Sequence, residues 1–223
     1  MRVPGLLALV VLLAGCSSSA APSTSAATPT ATSLDAYAAL SPPTAGALGG
    51  YDSGTVAHAQ EVVHGLLAEQ LLEPTTLRGA SIAADLAGAA GDNTVRRELG
   101  SRPTVGGLRF RPLFAKALRL ATPPATVVSS TWGTDLVQGA GGEQGLRVTW
   151  SGDLAYDVRT PDGVLHRVGY RTRLGYVFSA LGNEPGGVLL QVVQPLGSTT
   201  TGTLTSCRAR GVLWPGTTGP CPA

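Results

Sequence analysis

The chain has 223 residues, of which 43% are hydrophobic, 13% charged and 5% aromatic, a length that fits one folded core with unstructured ends. Charge is sparse against the roughly 25% of an average globular chain, and a net charge of +2 is too small to drive binding to nucleic acid. Apolar runs are too few for a polytopic membrane protein, and sixteen basic residues with Lys116 as the single lysine, beside 30 Gly and 16 Pro, reflect GC-rich coding.

The first fifteen residues read as a leader. Arg2 gives a positive start and LLALVVLLA an apolar run shorter than the ~20 residues that span a bilayer, which is a signal-peptide core. It ends in Leu13-Ala14-Gly15-Cys16, which resembles the lipobox of bacterial lipoproteins, of an actinobacterial type. The resemblance implies diacylglycerol transfer to Cys16, cleavage before it, and palmitate-class acyl chains anchoring the protein on the extracytoplasmic face of the cell membrane. Each buried methylene contributes about 0.8 kcal/mol, so two or three chains anchor stably. Residues 17–33 are all Ser, Thr, Ala or Pro and lack the apolar surface that offsets ordering entropy. Residues 16–50 are therefore expected to be a lipidated tether, with an end-to-end distance of roughly 30–35 Å.

From Ser53 to Glu73 apolar residues recur at helical spacing, with Asp52 or Ser53 as cap and Pro74 beyond the end, predicting an amphipathic helix. A weaker helical region passes through Leu77, Ile82 and Leu86, and a short helix is expected from Asp92 or Asn93. A further one runs over LFAKALRLA behind Pro112 and ends before Pro123-Pro124. Within residues 96–119 the basic groups Arg96, Arg97, Arg102, Arg109, Arg111, Lys116 and Arg119 face the single acid Glu98; a solvated face explains them better than contact with anionic lipid.

Beyond Ala125 the period changes to two. Leu146, Val148, Trp150, Leu154, Tyr156 and Val158 occupy even positions, while the odd ones are polar or small, predicting a half-buried strand. Pro161-Asp162-Gly163 supplies a turn. Pairing Thr160 with Val164 sets a register: Asp157 opposite Arg167 and Asp153 opposite Arg171 on the polar face. On the apolar face Tyr156 meets Val168, Leu154 meets Tyr170 and Trp150 meets Leu174. A slip of one residue destroys both sets. A preceding strand over Thr126–Val137 and a following one over Gly187–Gln194 complete four strands. The fold class is α+β: N-terminal helices packed on one face of a four-stranded, bent antiparallel sheet spanning residues 51–196. Residues 197–223 read as a Gly/Thr/Pro-rich tail. Cys207 and Cys221, the pair left once Cys16 is acylated, are expected to form a disulfide closing a loop of about 15 residues, worth around 3 kcal/mol in the chain-entropy account.

The element order, with DLAYDVR, YRTRLGYVFSA and GVLLQVVQP, resembles the nuclear transport factor-like (cystatin-like cone) superfamily over residues 50–196. That resemblance implies a long first helix lying across a strongly bent sheet around a conical cavity. Such folds host enzymes, carriers and docking domains alike.

Chemistry-bearing motifs are few. Glu61-Val62-Val63-His64, with His58 one turn earlier, has the Glu-x-x-His spacing of di-iron bundles, but the other ligands such a site needs are missing. A solvated helix face is the expectation, with no metal and no cofactor. Gly139-Ala140-Gly141-Gly142 precedes a strand, where phosphate cradling needs a helix N-terminus. There is no Walker A loop and no Gly-x-Ser-x-Gly elbow. The expected function is a non-catalytic binding or docking domain at the envelope. Its partner is either a small apolar or lipid-like ligand, walled by Trp132, Trp150, Tyr156, His166, Tyr170 and Tyr176, or an envelope protein meeting Arg147, Arg167, Arg171 and Arg173. The alternative is an isomerase-like or dehydratase-like enzyme using His166 and a tyrosine in the cone cavity, since proton transfer there needs an inward-facing base and an oxyanion donor.

Overall fold

The computed structural model describes residues 33–80, 111–138, 142–180 and 188–202, together with the backbone of 104–105, 108–109, 204–207 and 212–215. Helix α1 (Ser33–Ala39) leads to helix α2 (Ser53–Leu71) and a single 3-10 turn at Thr76–Arg78. The strands are β1 (Thr104–Val105), β2 (Leu108–Arg109), β3 (Arg119–Gln138), β4 (Gln144–Arg159), β5 (Leu165–Ala180), β6 (Val188–Gly202), β7 (Leu204–Cys207) and β8 (Val212–Pro215). Strands β3 to β6 form one antiparallel meander in sequence order, and β1–β2 and β7–β8 are separate two-stranded ribbons. The class is α+β.

Helix α2 starts where the sequence places it. Asp52 is extended, and its carboxylate accepts the Thr55 N–H at 2.6 Å, satisfying one orphan donor of the first turn. Val56, Ala59, Val63, Leu66, Leu67 and Leu71 form its buried stripe. They close on the even positions of β4 and β5, where Leu146, Val148, Trp150, Leu154, Tyr156, Val168, Tyr170, Leu174 and Tyr176 are at most 1% exposed. At the helix C-terminus the Tyr156 hydroxyl donates to the Leu71 carbonyl at 3.0 Å, one of the acceptors a helix end leaves open.

The central hairpin adopts the expected register throughout. Asp157 lies opposite Arg167, Asp153 opposite Arg171, Tyr156 opposite Val168, Leu154 opposite Tyr170 and Trp150 opposite Leu174. Its turn closes with the Thr160 N–H donating to the Val164 carbonyl at 3.0 Å, and Gly163 takes φ of 90°, a conformation glycine adopts without steric cost.

Four expectations are corrected. The stretch behind Pro112 is not a helix. The Phe114 N–H donates to the Leu77 carbonyl at 2.8 Å, Phe114 and Leu118 enter the core, and β3 begins at Arg119; burial overrides helical propensity here. Arg111 is not on a solvated face: it is 3% exposed and donates to the Ala80 carbonyl at 3.0 Å. Burial lowers its pKa, with Glu69 opposing. The last part of the expected tether is structured, since α1 lies within it, Leu40 is fully buried and Leu48 bridges Tyr51. Finally, β6 continues to Gly202, past the expected end of the domain at 196. The expected helix at Asp92 or Asn93, and Ile82 and Leu86, lie outside the described residues.

Candidate functional site

Strand alternation gives the sheet two faces, and the expected site residues divide between them. Trp150, Tyr156, Tyr170 and Tyr176 are core packing, at 0–1% exposed. Phe114 tilts against Tyr156 with ring centroids 5.1 Å apart, and the Trp150 indole N–H donates to the Ser130 hydroxyl at 2.9 Å. Burial raises the Tyr156 hydroxyl well above its usual pKa and raises that of Tyr176, the latter offset in part by the Gln70 amide. Neither the Tyr176 hydroxyl nor the Gln70 side chain, both buried, makes a hydrogen bond of ordinary geometry. Trp132 is half-buried, opposite Trp150, and lines a shallow pocket of about 260 Å³ with Pro43–Leu48. His166 sits near the hairpin turn, opposite Val158 and half-buried.

His64 departs from the expected solvated face. It is 4% exposed, its Nε2 lies 3.2 Å from the Tyr37 carbonyl, and its ring rests on that of Tyr37 at 4.1 Å. Its role is to seat α1 on α2, and among the described residues no group of three or more His, Cys, Asp or Glu side chains is placed to hold a metal.

The outer face carries the charges. Asp157 accepts Arg167 through two bonds of 2.8 Å. Asp153 accepts Arg171 at 2.5 and 3.3 Å and the Ser129 hydroxyl at 2.9 Å. These donors, the guanidinium first, hold both carboxyls below the usual aspartate pKa, and the partnership raises the arginines in turn. Arg147 is held by Asp135 of β3, a partner on a strand the hairpin pattern does not reach. Arg173 is exposed, and its guanidinium has no hydrogen bond or ion pair among the described residues.

Around Arg173 the outer face is hollowed into a groove of about 420 Å³. Its rows follow the register: Ser129, Asp153, Arg171 and Thr199 in one, Thr131, Ser151, Arg173 and Gly197 in the next. The hydroxyls of Thr131, Ser151, Ser198 and Thr199 make no hydrogen bond among the described residues. The sequence pattern marked Arg171 and Arg173, but not these hydroxyls; the polar odd positions of β4 were their signal, whereas Ser198 and Thr199 fell in the presumed tail. A second groove on the same face, about 820 Å³, contains Arg147 already paired, with Glu143 and Gln194.

Fold and surface together define an α+β domain with a closed aromatic interior and a hydroxyl- and arginine-lined outer groove. Comparison with known proteins finds no matching family model, no matching curated protein and no matching solved structure. Cys16 and Cys221 lie outside the described residues, and Cys207 ends β7. No helix among the described residues is long and apolar enough to cross a membrane.

Proposed function

We propose that this chain is a bacterial lipoprotein, anchored by acylated Cys16 on the extracytoplasmic face of the cell membrane, whose domain is a non-catalytic binding module. Its working surface is the outer face of the sheet. The observation that carries this reading is the unpaired, exposed Arg173 inside a groove lined by unbonded hydroxyls. A solvated guanidinium paired to no acid, Asp153 being taken by Arg171, is a ready partner for a planar anionic group. The apolar-ligand reading is weaker, because the aromatic side chains it relies on already fill the core at 0–1% exposure. The isomerase-like reading needs an available tyrosine hydroxyl, and that of Tyr156 is engaged by the Leu71 carbonyl.

The cone-like curvature belongs to the same proposal. Register shifts in β3 at Leu120/Ala125 and Val127/Ser129, and between β5 and β6 at Arg173/Leu174 and Val177/Phe178, support a sheet bent by bulges. The Cys207–Cys221 disulfide is proposed with it, and non-reducing peptide mapping that finds both thiols free refutes that bond.

Two measurements test the whole. A fatty-acid analogue labels the wild-type protein and not Cys16→Ser; equal labelling removes the anchor. Native mass spectrometry of the membrane-purified protein then follows any bound partner. Retention of that partner in Arg173→Glu, with loss in a variant of the shallow Trp132 pocket, defeats the outer-face reading.

A further inference from the structure

We infer that the outer groove binds a carboxylate-bearing saccharide, with Arg173 receiving the carboxylate and the hydroxyls of Ser151, Thr131 and Thr199 meeting the sugar ring; this rests on the outer-face reading above. Three features select that ligand class. The first is net charge. Asp153 neutralises Arg171 through two bonds, so the groove presents one uncompensated cation, Arg173. A carboxylate brings a single charge on one group to that cation, whereas a phosphate monoester concentrates two charges on one group beside the Asp153 carboxylate in the same groove. A carboxylate further matches the planar fork of a guanidinium in a bidentate contact.

The second feature is the hydroxyl array. Ser and Thr hydroxyls both donate and accept, as sugar hydroxyls do, and those of Thr131, Ser151, Ser198 and Thr199 are unbonded among the described residues. Backbone groups of the floor pair within the sheet, so recognition falls to side chains. Threonine methyls and the glycine floor at Gly152 and Gly197 add the apolar patches that the C–H face of a sugar ring requires. Third is size. Thr131, Ser151 and Arg173 lie on three neighbouring strands, a reach of about 10 Å at ~4.8 Å per strand. A volume of about 420 Å³ lies within the ~300–1,000 Å³ typical of small-molecule sites, enough for two linked rings.

The groove is a surface site on a rigid sheet, so binding is modest and salt-sensitive. The test is isothermal titration of the full-length protein in detergent at low ionic strength with trigalacturonate. Maltotriose and sodium acetate serve as the neutral-sugar and bare-anion arms. Trigalacturonate is expected to bind with millimolar or tighter affinity, and at least about tenfold more tightly than either control. Arg173→Glu is expected to weaken it about 10- to 100-fold, and Ser151→Trp, which fills the groove without changing charge, to abolish it. Lys116→Glu, an exposed site outside the groove, is expected to leave it within about twofold. Circular dichroism melts of each variant separate loss of the site from loss of the fold.

Equal affinity for maltotriose or acetate overturns the assignment, as does trigalacturonate binding that survives Arg173→Glu. Silence toward trigalacturonate, while a membrane protein partner still dissociates in Arg173→Glu, overturns the saccharide alone and leaves the outer-face reading standing.

Discussion

The two faces of the β3–β6 sheet are made by one alternation yet obey different physics. On the inner face Trp150, Tyr156, Tyr170 and Tyr176 lose nearly all their exposure, so volume and shape decide what is tolerated. On the outer face Asp153, Asp157 and Asp135 meet arginines in water-accessible pairs, where screening keeps each pair weak. Stability therefore resides inside and recognition outside, and substitutions on adjacent residues of one strand should differ sharply in effect.

The largest effect is expected from Trp150→Ala, which empties a fully buried site. A loss of about 3–5 kcal/mol lowers the melting temperature by roughly 10 °C in a protein of this size, read by calorimetry. A change under 2 °C means that the inner face is not close-packed. Gly152→Ala comes next. Its new Cβ would collide with the Trp150 ring and stand 2.6 Å from the Ser129 carbonyl oxygen, an overpacking of about 1–3 kcal/mol visible in urea midpoints. An unchanged midpoint rejects the close approach.

Two conservative changes sharpen the comparison within the core. Tyr156→Phe strips the Leu71 carbonyl of its donor and is expected to destabilise by about 1–2 kcal/mol. Tyr176→Phe removes a hydroxyl that makes no hydrogen bond of ordinary geometry, so its effect is near zero or stabilising. Reversal of that order in parallel denaturation curves would falsify the assignment of Tyr156 as the helix-end partner.

Outer-face changes are smaller. Arg167→Ala is expected to lower stability by less than about 1 kcal/mol, and less still in 0.5 M salt. Asp153 and Asp157 have depressed folded pKa values. Their contribution is thus present above the unfolded aspartate value of about 3.9 and is lost as pH falls through the folded values. Acid titration of wild type against Arg167→Ala, with the two curves converging once pH has fallen through the depressed folded value of Asp157, checks the sign. Arg173→Glu ends the series, with a melting temperature within about 2 °C of wild type.

Parts of this were legible because they depend on neighbours in sequence. Asp52 and Pro74 bracket α2 through local capping and ring chemistry. The alternation in β4 and the Pro-Asp-Gly turn set face and register together, so Asp153 finds Arg171 and Trp150 finds Leu174 from pattern alone. Other features required partners that sequence spacing does not specify. Phe114 pairs with Leu77 instead of entering a helix, and His64 seats the short helix α1 through Tyr37. Arg147 belongs to Asp135 on another strand, and β6 extends through Ser198 and Thr199 because β5 offers it open backbone groups from Val168 to Ala180. The sequence by itself determined the hairpin, its two faces and which arginines stand outside, since a period of two and a tight turn are local constraints. Only the tertiary structure decided that the aromatics close into a core and that Arg173 keeps its charge unpaired among free hydroxyls, because both depend on which distant strands come to lie side by side.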